Sequence, residues 1–506
     1  MKTSSEILDA INALELRFPV ASWRAGDIDL WPLYRFRLYG HAIDGLLLTQ
    51  APPSAFGRWR RLADRAARAL WRVPLAAWQD RGANDRLRSG TAAVFFSDGV
   101  SFTQLDGRWF DRVVDPVMQA LDARGLHGLK LTPLAEAHVP RLRSSRFVQP
   151  AIDRIKLLAT RRQPPPLHLP QFDAFEQAAR ASFGPLVPSR AWLQVQATRL
   201  EALAAWFGTW LDRSGARHAF VNTFYSLEGQ AMVQAARRRG LHSIDLQHGM
   251  QGPHHAAYAR WPVVPDGGYS TLPDEFWVWG DEEAKAIDNW SGKLPRHRPR
   301  ITGNYWLQRW RDDSDPLIAA CLGEARALRA PAATQVLVCL SWGLADGETE
   351  KLLQAAKLCD ASVAWWWRLH PVESSRRAEF AARLRQHGLD GSRVGTTTDL
   401  PLYALVRSAD LTVSHSSTVT LEAAELGIPS VVTSDYGAEL HAALIQSGMA
   451  VKATQARSIA DAVQLLATRP RGAASACAPA GLLQAAVDEL FHCAPAANTH
   501  LEAANT

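Results

Sequence analysis

The sequence predicts an α/β protein of two doubly wound parallel sheets facing a cleft, preceded by a helical extension. Three observations carry this reading. At 506 residues the chain is too long for one small core. Between residues 336 and 452, short apolar runs alternate regularly with helix-period segments, as in a parallel sheet with right-handed crossovers. A looser alternation runs from 91 to 304, and the polar stretch 312–315 before Pro316 is a candidate hinge between the halves.

Residues 1–90 read as helical and distinct in character from the α/β region after them. Phe56, Trp59, Leu62, Ala66 and Leu70 recur at helical spacing, and Arg58, Arg60, Arg61, Arg65, Arg68 and Arg72 occupy most of the remaining face. Two roles fit such a helix: lying in the plane of an anionic membrane, or packing its apolar stripe on the main body.

The first α/β unit, 91–311, opens with a strand at 92–96 that ends in Ser97-Asp98-Gly99. A helix follows around 111–124, then a strand at 129–134. Residues 140–190, rich in Pro and Arg, read as a loop-rich insertion. A long helix at 191–212 leads to a strand at 218–222, a helix at 226–239 and a strand at 243–246 that opens into Gln247-His248-Gly249. Strands at 276–280 and 300–304 close this sheet.

The second unit, 312–470, places strands at 336–340, 362–369, 393–396, 411–413, 430–433 and 450–452. Helices fill the gaps at 347–359, 374–388, 400–408, 418–426, 437–447 and 457–467. The tail 471–506 is Ala-rich, with one helix at 482–491 able to pack on the body. Ligands of such sheets lie outside the carboxyl ends of the strands, where Ser341, His370 and Ser416 fall. Residues 407–434 stand out: a strand ends in Ser414, His415, Ser416, Ser417 and Thr418, and a hydroxyl-capped helix then stops at Gly427 and Pro429. Hydroxyls and free amides at a helix start can hold a phosphate; a plain capped turn is the competing reading.

Composition narrows the class. Hydrophobic residues make 47% and charged residues 21%, an ordinary globular balance. A formal net charge of +6 fits anionic ligands or an acidic membrane surface, yet is too diffuse to argue for nucleic acid, so none is expected as a partner. Cys321, Cys339, Cys359, Cys477 and Cys493 are too scattered for a zinc ribbon or a disulfide framework, pointing to a reducing cytoplasm. The N-terminus lacks the apolar core of a signal peptide, and no apolar run reaches the length of a membrane span. The expected location is cytoplasmic, with peripheral attachment to the inner face of the membrane as an option.

Arg368-Leu369-His370-Pro371 and Ser414-His415-Ser416-Ser417 resemble the His-Pro and Ser-Ser/Thr motifs of bacterial sialyltransferases and related Kdo transferases. Asp245 to Gly249, Thr302-Gly303-Asn304 and the two later motifs also resemble, in the same order, those of CDP-glycerol glycerophosphotransferases and capsule-polysaccharide glycosyltransferases. The resemblance covers roughly residues 92–470. It implies two Rossmann-like domains facing a cleft (GT-B). It also implies transfer of a sugar from a nucleotide-sugar donor, CMP-sugars favoured, to a lipid-linked or oligosaccharide acceptor in capsule or lipopolysaccharide synthesis. By this resemblance His370 and Pro371 contact the nucleotide or leaving phosphate, Ser416 and Ser417 bond that phosphate, and Glu422 binds the ribose. Gly303 and Asn304 would let the backbone approach the donor.

Two residues compete for the role of base. His248 matches the His-Gly position of the glycerophosphotransferase-like enzymes, with Asp245 three residues earlier able to orient it. Asp98 matches the acidic-acidic-Gly motif of the sialyltransferase relatives, except that Ser97 replaces its first acid. Asp27-Ile28-Asp29 and Asp313-Ser314-Asp315 have the Asp-x-Asp form used by metal-dependent transferases, but neither ends a strand in the nucleotide half. Both read as surface polar residues, and His254-His255 lacks a carboxylate at ligand spacing, so no metal and no cofactor is expected. Trp365, Trp366 and Trp367 alternate across a strand and read as core packing. A CDP-polyol phosphotransferase, a nucleotide-sugar epimerase and a non-catalytic scaffold of a polysaccharide assembly complex are the alternatives.

Overall fold

The computed structural model describes residues 3–47, 91–99, 101–133, 140–185, 187–330, 334–469 and 481–492. The basic segment at 56–72 lies outside them. The first sheet contains β1 (Thr91–Phe96), β2 (His127–Thr132), β3 (Arg146–Phe147), β4 (His218–Val221), β5 (His242–Leu246), β6 (Glu275–Val278) and β7 (Arg298–Ile301). They pair in the order β7-β6-β5-β4-β1-β2-β3, all parallel. All six residues of β1 are buried, because helices cover both faces of a parallel sheet. The second sheet contains β8 (Thr334–Cys339), β9 (Val363–Arg368), β10 (Leu411–Ser414), β11 (Ser430–Val432) and β12 (Ala450–Lys452), in the parallel order β9-β8-β10-β11-β12. Strand order reverses between β1 and β4 in one sheet and between β8 and β10 in the other, the positions where such sheets open a crevice. This is the expected pair of doubly wound units.

Several elements depart from the sequence reading. The strand expected at 393–396 is the helix Val394–Asp399. Its three threonines favour a strand locally, but Thr397 donates its hydroxyl to the carbonyl of Trp367 (2.6 Å), and half-buried Arg368 donates to the carbonyls of Thr397 and Leu400 (both 2.6 Å). These tertiary bonds satisfy the end of a helix beside edge strand β9. The loop-rich insertion contains helices Gln149–Ala159 and Phe172–Phe183, with Pro150 confined to a first turn. The helix expected from 111 begins at Val114, because Phe102–Leu105 and Arg108–Asp111 form an antiparallel hairpin. Asp106 and Gly107, both at positive φ (47° and 66°), make its turn.

Nor are the first 47 residues separate in character. Helices Ser4–Arg17 and Trp31–Leu47 place Ile7, Ile11, Trp31 and Tyr34 in one core with Phe96, Phe175, Val221 and Phe276. Asp29, expected at the surface, is buried and accepts the amide of Ser270 (2.7 Å). Helix Leu482–His492 packs Leu483, Ala486 and Val487 against Val117, Phe220 and Trp277 of the first half. The hairpin reaches the other way, its Leu105 and Phe110 sharing a core with Trp306, Ile318, Leu337, Trp366 and Tyr403. Trp366 packs there, while Trp365 and Trp367 stack on the opposite face of β9 with centroids 5.9 Å apart. Among the described residues no helix is long and apolar enough to cross a membrane.

Candidate active site

The carboxyl end of β5 delivers His248. Its Nε2 lies 3.1 Å from the hydroxyl of Tyr225, and its Nδ1 is buried without a hydrogen-bond partner. Burial holds the imidazole below its ordinary range, Arg112 adds to that depression, and the charge of Asp98 opposes it. Asp245 does not orient His248. It lies within β5, where it accepts the hydroxyl of Tyr258 (2.9 Å) and the amide of Phe224 (3.1 Å), and burial pushes its carboxyl up to about 8.

Asp98 follows β1, one strand beyond β4 from His248. Its amide donates to Asn222 Oδ1 (2.9 Å), and Asn222 Nδ2 donates back to its carboxylate (3.0 Å). That exchange fixes Asp98 at the point where strand order reverses. Ser97 turns away and donates its hydroxyl to Asp111 (2.6 Å) in the interior, so it takes no part in the cleft.

In the second half, Arg368 at the end of β9 and Ser414 at the end of β10 both pair with Cys339 of β8. His370 and Ser416 therefore each lie two residues past that level, at one edge of the sheet and not on opposite sides of it. His370 begins the short 3-10 turn Pro371–Arg376, its Nδ1 accepting the amide of Val372 (3.3 Å), and burial lowers its imidazole. Ser417 Oγ accepts the amide of Val419 (3.3 Å) at the start of helix Val419–Glu425. The hydroxyl of Thr418, at the N-cap position, makes no capping bond and is used elsewhere. It accepts the amide of Met250, two residues beyond His248, at 3.1 Å, joining the two halves at their loops.

Glu422 is buried, not solvated. The hydroxyl of Tyr403 donates to it, Arg112 Nη1 lies 4.0 Å away, and burial raises its carboxyl. Gly303 has φ +77°, a left-handed conformation that explains glycine there. Asn304 caps helix Tyr305–Arg309 through Oδ1, which accepts the amide of Leu307 (3.0 Å), and its buried Nδ2 faces the hydroxyl of Tyr403 without a well-formed hydrogen bond. Arg112, Gln247, His248, Asn304, Tyr403 and Glu422 line one narrow pocket between the halves. The structure thus brings His248, Asn304 and Glu422 together, while His370, Pro371, Ser416 and Ser417 stand outside that wall at the rim of the second sheet. Sequence reasoning missed Arg112, Tyr225, Tyr403 and Asn222. For Arg112 a signal existed: the Asp106-Gly107 dipeptide marks a hairpin that ends one residue before it.

No family model and no curated protein matches the chain. Among solved structures it is similar to a UDP-GlcNAc 2-epimerase from Neisseria meningitidis bound to UDP-GlcNAc, at 11% identity and TM-score 0.48, covering 79% of this chain and 100% of that one. It is also similar to the wall teichoic acid polymerase TagF soaked with CDPG, at 10% identity and TM-score 0.41, covering 86% and 93%. A third likeness is the spinosyn rhamnosyltransferase SpnG, at 13% identity and TM-score 0.36, covering 79% and 95%.

Proposed function

We propose that the protein is a GT-B glycosyltransferase that moves a sugar from a nucleotide-sugar donor, CMP-sugars favoured, to a growing bacterial surface polysaccharide or lipopolysaccharide. The observation that supports this most is the Met250 to Thr418 hydrogen bond. It sets the loop of the candidate base against the hydroxyl-rich loop of the other half. In this reading Nε2–H of His248 donates to Tyr225, leaving the Nδ1 lone pair to take the acceptor proton. Because burial lowers the imidazole, it stands in the neutral form a base requires. The acceptor oxygen bonds to the anomeric carbon, the bond from that carbon to the phosphate oxygen breaks, and the electron pair leaves with the phosphate. Ser416, Ser417 and His370 hold that departing charge. Asp98 is the second candidate base, favoured by its fixed position beside Asn222 where strand order reverses.

A thermal-shift screen against CMP, CDP, UDP, GDP and dTDP tests the donor, since a bound nucleotide stabilises by mass action. A cytidine nucleotide should raise the melting temperature. His370→Ala and a Ser416→Ala/Ser417→Ala double variant should lose that shift with little change in the free protein. His248→Ala should keep donor binding and lose transfer. Absence of a shift with all five nucleotides would overturn the proposal.

A further inference from the structure

The pocket between the halves holds a cation that no motif names. Arg112 follows the hairpin directly, and its amide donates to the carbonyl of Ser101 (3.1 Å). Phe110, two residues earlier, is fully buried and stacks on Trp306 with ring centroids 5.0 Å apart. On the other side, Asp111 Oδ1 accepts the amides of Val113 and Val114 (both 3.1 Å). The backbone of Arg112 is therefore held from both ends, while its side chain keeps 31% exposure. Its charge acts on His248 in the first half and on His370 and Arg368 in the second.

Glu422 does not cancel this charge. The 4.0 Å separation is beyond hydrogen-bond length, the carboxylate already accepts from Tyr403, and burial biases it toward its neutral acid. On the same wall, Asn304 is 3% exposed, and its Nδ2 faces the hydroxyl of Tyr403 without a well-formed hydrogen bond. A guanidinium short of a close counter-charge and a buried amide donor with no well-formed hydrogen bond thus converge on one space. The complement of that pair is an oxyanion able to accept several hydrogen bonds.

We propose that Arg112 and Asn304 form an anion seat between the two halves that takes the phosphate of the donor nucleotide from the pocket side, His370, Ser416 and Ser417 holding it from the rim, an assignment that rests on the nucleotide-donor reading.

Isothermal titration of the full-length protein with cytidine, CDP and inorganic pyrophosphate tests the seat. Arg112→Gln removes the charge. Asn304→Asp keeps the helix cap but replaces the amide donor with an acceptor, and circular dichroism checks that both variants fold. Each should weaken CDP and pyrophosphate by about tenfold or more and leave cytidine unchanged, as loss of a charge-assisted hydrogen bond requires. Glu422→Gln should bind pyrophosphate about as the wild type does, because a neutral acid at 4.0 Å offers Arg112 no counter-charge. Wild-type affinity of Arg112→Gln for both CDP and pyrophosphate would overturn the seat while leaving the donor reading intact. Pyrophosphate binding that depends on Arg112, with no nucleotide bound, would keep the seat for free phosphates and overturn the donor reading. Binding of neither by the wild type would overturn both.

Discussion

Replacing Arg35 with methionine should destabilise the protein by about 3–5 kcal/mol at pH 8, the cost of breaking a buried ion pair from one side. Arg35 and Glu15 are both fully buried, with Nε donating to Oε1 at 2.6 Å. The guanidinium also donates to the carbonyls of Ala256, Ala259 (3.4 Å) and Arg260 (2.8 Å) and lies 4.2 Å from the ring centre of Trp261. These acceptors belong to the loop that runs on from His248, so one side chain ties the N-terminal helices to the candidate base. Methionine leaves the carbonyls of Ala256 and Ala259 without this donor and a buried carboxyl without its cation, at about 1 kcal/mol or more for each. Burial already pushes Glu15 up to about 7 with Arg35 beside it, and loss of the cation raises it further. A folded-state value above the unfolded one means the native carboxyl keeps its proton where the unfolded chain has lost it, so stability falls as pH rises through 7. The loss should therefore be smaller at pH 5.5, where Glu15 takes a proton and no orphan charge remains. Urea denaturation followed by tryptophan fluorescence at both pH values measures this. A loss under about 1 kcal/mol at pH 8, or one equal at the two pH values, would refute the reasoning.

Other contacts give three more expected outcomes. Asp245, pushed up to about 8, holds its proton in the native state at pH values where the unfolded chain has released it, so its contribution is full at low pH and is lost as pH rises toward 8. Asp245→Asn should flatten the dependence of melting temperature on pH between about 4 and 8. Asp98→Asn removes the charge that raises His248 against burial, so the acid limb of kcat/KM should move to lower pH with transfer retained; activity lost at every pH would make Asp98 the base. Phe110→Ala should cost about 3–5 kcal/mol in denaturant titrations, as truncation of a buried aromatic does, and should weaken pyrophosphate binding by loosening the mount of Arg112.

What the sequence determined on its own lies within single strands, turns and helices. The buried run of β1, the succession β8 to β12, Gly303 at positive φ and the alternation of Trp365, Trp366 and Trp367 arise from side-chain period and local sterics, so residues a few positions apart carry them. The strand-end positions of His248, His370 and Ser416 were legible for the same reason. Tertiary structure alone decided the rest. Thr397 makes a helix because Trp367 and Arg368 satisfy it, and the Thr418 hydroxyl accepts from Met250, 168 positions away, in place of capping its own helix. Arg112 meets Glu422 only because a hairpin from one half buries Leu105 and Phe110 in the core of the other. Such pairings depend on how buried polar groups are satisfied once the sheets are packed, and no local periodicity encodes which distant group will be nearest.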